Sequence, residues 1–283
     1  MITITTLIEN NLGKDKTLYN EHGLSFFIEG ENFNILYDTG QSNKFIDNAK
    51  KLNIDLSKTT HVVLSHGHYD HTGGFKDFVV NTNASFDLYI SKYFFRKKYS
   101  IEEDTCKYLG PNFDEAFLKE KNIKLNYITN DIEIAPNVVL STNFKRKTPF
   151  ETISPRFYVK EGKSYVKDDF KDEIVLSIQT KKGLIVLLGC SHPGVVNILD
   201  SLIQRTKKPI YAIIGGTHLV EGNKNQLKST LDYFKKISIK HIGVSHCTGE
   251  AAIKELKQFD CFFENCTGTQ IQINSHNFSL SIS

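Results

Sequence analysis

No run in the chain approaches the roughly 20 consecutive apolar residues that a helix needs to cross a bilayer, so no membrane partner is expected. The opening stretch from Met1 to Ile8 alternates like a strand and lacks the basic-then-apolar build of a signal peptide. Only five cysteines are present (Cys106, Cys190, Cys247, Cys261 and Cys266). That number is odd and forms no paired framework, which fits a reducing compartment and a cytoplasmic protein. Charge of one sign is also lacking: 35 Lys and Arg face 32 Asp and Glu, a net +3 with the ten His counted neutral. Such a balance gives no positive case for a nucleic-acid partner. A phosphate-cradling Walker loop, a dinucleotide fingerprint and a Gly-x-Ser-x-Gly elbow are all missing, so serine hydrolysis has no support. There is no internal repeat and no low-complexity tract. A chain of 283 residues, 40% hydrophobic and 24% charged, is long enough to bury a substantial core.

What is present is a recurring pattern of short apolar strands that run into Gly/His/Asp clusters. Residues 24–29 and 33–37 predict consecutive strands about a Gly-Glu-Asn turn, and residues 42–52 carry Phe45, Ile46, Ala49 and Leu52 at helical spacing. Strands are expected at 60–65, 184–188, 210–214 and 241–245, the last three leading directly to His192, His218 and His246. Helical periodicity at 194–205 and 225–237 separates them, and strands alternating with helices indicate a layered α/β domain. Loops at the carboxyl ends of buried strands are where functional groups converge.

The middle third reads differently. Residues 84–170 carry many aromatics among charges and few clear buried strands. We read one domain over residues 1–283 with a variable, lid-like insertion at about 84–170. A hairpin is expected at 157–166, turning at Glu161-Gly162-Lys163.

The chemistry concentrates in Ser65-His66-Gly67-His68-Tyr69-Asp70-His71, where three His and one Asp fall within positions 66–71. Groups this dense are costly to desolvate unless something pairs with them. A divalent cation does so, since imidazole and carboxylate are its ordinary ligands. His66 and His68 face one ion from an irregular loop, while Asp70 and His71 begin a helix and face a neighbouring position.

His-x-His-x-Asp-His after a buried strand resembles the signature of the metallo-β-lactamase superfamily. Asp38-Thr39-Gly40 and the late strand ending in His246 match in order. The phrases Glu21-His22-Gly23-Leu24-Ser25, Gly189-Cys190-Ser191-His192-Pro193-Gly194, Gly215-Gly216-Thr217-His218-Leu219 and His246-Cys247-Thr248-Gly249 are similar to one branch. That branch is the 7,8-dihydropterin-6-methyl-4-(β-D-ribofuranosyl)aminobenzene-5'-phosphate synthase-like metallohydrolases. The resemblance implies a four-layer αβ/βα sandwich and a centre of one or two divalent ions, zinc first, with manganese or iron as alternatives. It implies His66 and His68 on one ion, and Asp70, His71 and His246 on a second. This chain departs from the pattern at two places. Cys190 stands where relatives carry a bridging Asp. Asp168, Asp169, Asp172 and Glu173 stand where relatives carry an upstream His. His192 is expected to fill one gap and His218 another.

Asp38 is expected to orient a ligand His by hydrogen bonding. His22 is balanced between a supporting role at the site and a structural one. His61, His241 and His276 are assigned to structure, Cys190 and Cys247 to free buried thiols, and Cys261 and Cys266 form no metal pair. The expected function is a metal-dependent hydrolase, with a metal-activated water attacking an ester-, phosphoester- or amide-like small molecule. Asp70 would orient the nucleophile, and His192 or His218 would polarise the substrate or protonate the leaving group. Alternatives are a synthase joining a dihydropterin to a ribofuranosylaminobenzene phosphate, and a metal-binding scaffold or sensor without turnover. The basic runs Arg96-Lys97-Lys98 and Lys145-Arg146-Lys147 read as solvated faces, and their place on the lid makes a phosphate-bearing or pterin-like substrate attractive.

Overall fold

A strand inside a parallel sheet covered on both faces needs apolar side chains at every position, and Gly183–Leu188 is buried along its whole length. In the computed structural model, which describes residues 1–274 and 280–283, it lies near the middle of a six-stranded sheet. The order across that sheet is His241–Ser245, Ile210–Gly216, Gly183–Leu188, Val175–Thr180, Val138–Ser141 and Ile132–Ala135. The first three strands run parallel. A second sheet has eight strands, in the order Leu280–Ile282, Gln270–Ile273, Ile2–Ile8, Ser25–Glu29, Asn34–Tyr37, His61–Val63, Asp87–Ser91 and Lys124–Ile128.

The two sheets pack face to face through one core, where Phe26, Ile28, Tyr37 and Val63 meet Leu176, Ile185, Leu187 and Ile214. On the outer face of the eight-stranded sheet, Phe27, Leu36 and Val62 pack with Phe45 and Ile46 of helix Lys44–Lys51 and Phe75 and Phe78 of helix Phe75–Asn81. On the outer face of the six-stranded sheet, Val186, Leu188 and Ile213 pack with Ile198, Leu199 and Leu202 of Val195–Thr206 and Phe234 of Lys224–Lys236. Helix, sheet, sheet, helix is the expected four-layer αβ/βα sandwich.

The stretch 84–170 is less of an insertion than its sequence suggests. Asp87–Ser91 and Lys124–Ile128 extend the eight-stranded sheet, and Ile132–Ala135 and Val138–Ser141 extend the six-stranded one. Lys124–Ile128 and Ile132–Ala135 are edge strands that leave most side chains exposed or half-buried. They therefore lack the apolar run by which a buried strand is read. What stands over the sandwich is a separate four-stranded sheet, Ser164–Lys167, Phe157–Glu161, Lys98–Glu102 and Thr105–Tyr108. Its hairpin closes at the expected turn, with Glu161 opposite Ser164. Phe157 and Leu109 pack beneath it with Phe170 and the half-buried Tyr69. No helix of the described residues is long and apolar enough to cross a membrane. His276, expected to be structural, lies outside the described residues.

Candidate metal centre

Four loops converge at the carboxyl ends of strands from the two packed sheets: the segment after His61–Val63 of the eight-stranded sheet, and those after Gly183–Leu188, Ile210–Gly216 and His241–Ser245 of the six-stranded one. They carry His66 to His71, Cys190 and His192, His218, and His246 and Cys247. The chain departs from ordinary geometry here: Asp38, Ser191, His218 and His246 all hold left-handed backbone with φ between 50° and 64°. Non-glycine residues in that region cost free energy, and such strain collects at functional sites.

His66, His68 and His192 form the first donor set, all buried, with ligand atoms within 4.8 Å of one another. Nε2 of His66, Nε2 of His68 and both ring nitrogens of His192 have no hydrogen-bond partner among the described residues. Burial pushes all three imidazoles well below their ordinary pKa, so they are neutral and offer lone pairs. Unpartnered buried nitrogens aimed at one another are expensive in a native fold. A divalent ion removes that expense and matches the donor chemistry. The residues present therefore fit a metal.

The second set is tighter. Nε2 of His71 lies 3.2 Å from Nε2 of His246 and 3.1 Å from the Cys190 sulfur. Asp70 Oδ2 is 3.4 Å from His246 Nε2 and 3.8 Å from His71 Nε2. Donors about 2.0–2.3 Å from one tetrahedral ion stand about 3.3–3.8 Å apart, so the atoms of Asp70, His71 and His246 have the spacing of a single coordination shell. The Cys190 sulfur adjoins it through His71, with which and His66 it groups within 4.8 Å. His22, its side chain half exposed, caps the set from solvent with Nε2 3.2 Å from Asp70 Oδ2.

The supporting contacts explain how so many buried polar groups are held. Asp38 accepts from His71 Nδ1 at 2.7 Å, from the Ser65 hydroxyl at 2.7 Å and from the Ser65 backbone N–H at 2.7 Å. The Ser65 hydroxyl is also 2.9 Å from His66 Nδ1, so one carboxylate orients a donor in each set. Burial works against a charged His71, but Asp38 and Asp70 outweigh it and push its pKa up to about 9. Three of the four loops are clamped by a buried acid. Asp172 accepts from the Gly67 N–H at 2.8 Å. Glu173 accepts from the N–H groups of Ser191 and His192 at 2.9 and 3.3 Å. Glu9 accepts from the His246 N–H at 2.7 Å. Burial pushes the Glu173 carboxyl up to about 8.

Lys98, which its sequence context marks as part of a solvated run, is 1% exposed and lies under the lid sheet. Its ammonium donates to Asp168 at 2.6 Å and to Asp172 at 2.9 Å, and sits 4.6 Å from the centre of the Phe170 ring. Phe170 in turn stacks on His192 with ring centres 3.8 Å apart. Through Asp172 and Phe170, this one lysine braces the Gly67 turn between His66 and His68 and the ring of His192.

The structure thus brings together His66, His68 and His192, and separately Asp70, His71, His246 and Cys190. His218 joins neither set. Its ring lies 4.2 Å from that of His192, beside Phe157. Cys190, expected to be a free buried thiol, is free and buried, and its sulfur lies against Nε2 of His71 at 3.1 Å. Glu9 and Lys98 had no signal in the sequence at all. His61 and His241 do take structural places, against Tyr89 and Tyr211.

A cavity of about 1300 Å³ opens from both sets between the lid sheet and the helix Glu250–Leu256, and its wall includes Tyr69, Phe157, Lys107, Arg156 and Lys254. The basic runs flagged in the sequence are not on that wall. Arg96 is paired with Asp169 and Glu161, and Lys98 is buried.

The model of the metallo-beta-lactamase superfamily matches residues 18–94, which contain the whole of the His66–His71 motif. The 7,8-dihydropterin-6-methyl-4-(beta-D-ribofuranosyl)-aminobenzene-5'-phosphate synthase of Methanocaldococcus jannaschii is 33% identical over 266 residues, covering 88% of each chain. A crystal structure of a metal-dependent hydrolase of the beta-lactamase superfamily superposes with a TM-score of 0.82 at 29% identity, over 97% of this chain and 100% of that one. A diphosphatase of the PhnP family shares the fold, with a TM-score of 0.55 at 13% identity over 97% and 99% of the two chains. The chain belongs to the metallo-β-lactamase superfamily, in the branch that contains the M. jannaschii synthase.

Proposed function

We propose that this protein is a metal-dependent hydrolase of an ester-, phosphoester- or amide-like small molecule. The observation that carries this reading is the pair of buried donor sets, one with bare imidazole nitrogens, at the floor of a cavity large enough for a drug-sized ligand. His66, His68 and His192 would hold one ion, and Asp70, His71, His246 and Cys190 a second, with zinc the best match to imidazole, carboxylate and thiolate donors. The chemistry such a centre supplies when filled is polarisation of a carbonyl or phosphoryl oxygen and activation of water near neutral pH.

The chain's own residues supply the rest. Burial opposes ionisation of Asp70, but His71, His22 and His246 outweigh it and hold its carboxyl well below the usual range. It stays an acceptor that can orient the proton of an attacking water. The Asp70 hydrogen bond raises the pKa of His22, which lies on the cavity wall and can pass a proton to a departing group. The expected roles of His192 and His218 in polarising the substrate or protonating the leaving group stand beside this one: His192 is in the first donor set and His218 lines the cavity with His22. Phe157 and Phe170 pack around His68 and His192 and exclude water from the back of the site.

A second reading, a synthase acting on a dihydropterin and a ribofuranosylaminobenzene phosphate, is favoured by the likeness to the M. jannaschii enzyme. Tyr69 and Phe157 would stack a ring, and Lys107, Arg156 and Lys254 would receive a phosphate. The test reconstitutes the chain with zinc, manganese or iron and assays it on an ester, phosphodiester, lactone and lactam panel, and separately on the two synthase substrates. Turnover on the panel, abolished by His66→Ala, supports the hydrolase. Condensation without hydrolysis supports the synthase. Metal binding with neither activity overturns both and leaves a scaffold or sensor.

A further inference from the structure

Among the described residues, a further cluster of metal-binding side chains adjoins the two donor sets and shares Cys190 with the second. Cys190, His218 and Cys247 have ligand atoms within 4.8 Å of one another, on three different loops. Both ring nitrogens of His218 lack a hydrogen-bond partner among the described residues. Cys247 is 7% exposed and Cys190 3%, and all three residues line the large cavity.

The surrounding backbone is shaped to bring these groups together. The His218 N–H donates to the Cys247 sulfur at 3.3 Å, and the Cys247 thiol donates to the Cys190 carbonyl at 3.5 Å. His218 is in the left-handed region, with φ of 50°, which turns its ring back toward the thiols. Gly216 is the spacer: a Cβ there would lie 2.6 Å from the Cys247 sulfur, 2.2 Å from the Gly189 carbonyl and 3.3 Å from the Cys190 Cα. Any side chain at 216 would drive the two cysteine loops apart. Two sulfurs and an imidazole make a soft donor set, unlike the imidazole-rich first set, and soft donors select thiophilic ions such as Zn²⁺ or Cd²⁺ over Mn²⁺ or Mg²⁺.

We propose that Cys190, His218 and Cys247 form a third, thiophilic metal site, with the Cys190 sulfur shared between it and the set of Asp70, His71 and His246. A thiolate sulfur has lone pairs enough for two ions, and the same sulfur is already 3.1 Å from His71 Nε2. The site goes beyond the proposed hydrolase or synthase activity and does not require either to be right.

Cadmium is the probe, because thiolate-to-cadmium charge transfer absorbs in the ultraviolet. The reduced, metal-free full chain is titrated anaerobically with Cd²⁺, following absorbance and bound metal by elemental analysis. Three ions per chain are expected, falling to two in Cys247→Ser with loss of about two-thirds of the charge-transfer intensity, because two of the three thiolate–cadmium bonds go with the third ion. His218→Gln removes a direct donor and should weaken the last equivalent by more than the roughly 10- to 100-fold typical of losing an outer-shell partner. His66→Ala should lose an ion and keep the charge-transfer band, which separates failure of the first set from failure of this site. In the wild-type chain, bound Cd²⁺ should protect Cys247 from alkylation while the exposed Cys106 reacts freely. That measurement needs no variant to fold. A wild-type chain that binds two ions, with Cys247 alkylated equally fast with and without metal, overturns the proposal.

Discussion

Asp38 Oδ2 lies 2.7 Å from Nδ1 of His71, and both side chains are completely buried. The same carboxylate accepts twice from Ser65, so it fixes the His71 ring with Nε2 turned toward His246 and Cys190 and, through the Ser65 hydroxyl, steadies His66. Asp38→Asn keeps the shape but puts an N–H₂ where an acceptor is needed. Metal affinity should fall about 10- to 100-fold, as it does when a ligand's hydrogen-bond partner is lost. Isothermal titration with zinc measures this, and unchanged affinity would show that His71 needs no such support.

His66→Ala should remove one ion per chain and leave the ion at Asp70, His71, His246 and Cys190 in place. Elemental analysis after dialysis against trace zinc reads the difference. Loss of both ions together would mean that the two sets are one cooperative cluster.

Lys98→Met should destabilise the metal-free fold by about 3–5 kcal/mol, because Asp168 and Asp172 are left buried without their cation. Lys98→Arg should lose much less. Since Lys98 also braces the Gly67 turn, the methionine variant should bind its first ion more weakly. Urea unfolding and metal titration of the same preparations test both parts. A stability change below about 1 kcal/mol would mean that water reaches the triad.

Glu173 makes stability depend on pH in an unusual direction. Burial lifts its carboxyl from 4.5 to about 8 in the folded chain. Below pH 4.5 the group is protonated in both states and its contribution is complete. As pH rises from there toward 8 the unfolded chain ionises while the folded one keeps its proton, so stability is lost across that window. The melting temperature of the metal-free protein should fall with rising pH through this range, and Glu173→Gln should flatten that part of the curve. A variant with the same slope as wild type would assign the dependence to other groups.

Much of the candidate metal centre was legible because its signals are local. The strand before Ser65 and the dense His66-x-His68-x-Asp70-His71 run occupy one short segment. The helices expected at 42–52, 194–205 and 225–237 appear at Lys44–Lys51, Val195–Thr206 and Lys224–Lys236, since an apolar stripe at helical spacing has one good burial solution. The interval 84–170 misled because strands at a sheet edge need bury little. Lys98 misled because its neighbours Arg96 and Lys97 suggest solvent, whereas Asp168 and Asp172, remote in sequence, take its charge inside.

By itself, then, the sequence determined a layered α/β domain and the residue types of a metal centre, because hydrophobic period and ligand spacing act over a few residues, while the four-layer sandwich followed from the family resemblance of its motifs. Only the tertiary structure decided how those ligands are shared out. The Glu9 carboxylate clamps the His246 N–H across 237 positions of chain, and His71 meets Cys190 across 119. Contacts of that kind leave no periodicity to read, since they exist only when separate strands end side by side in the packed sheets.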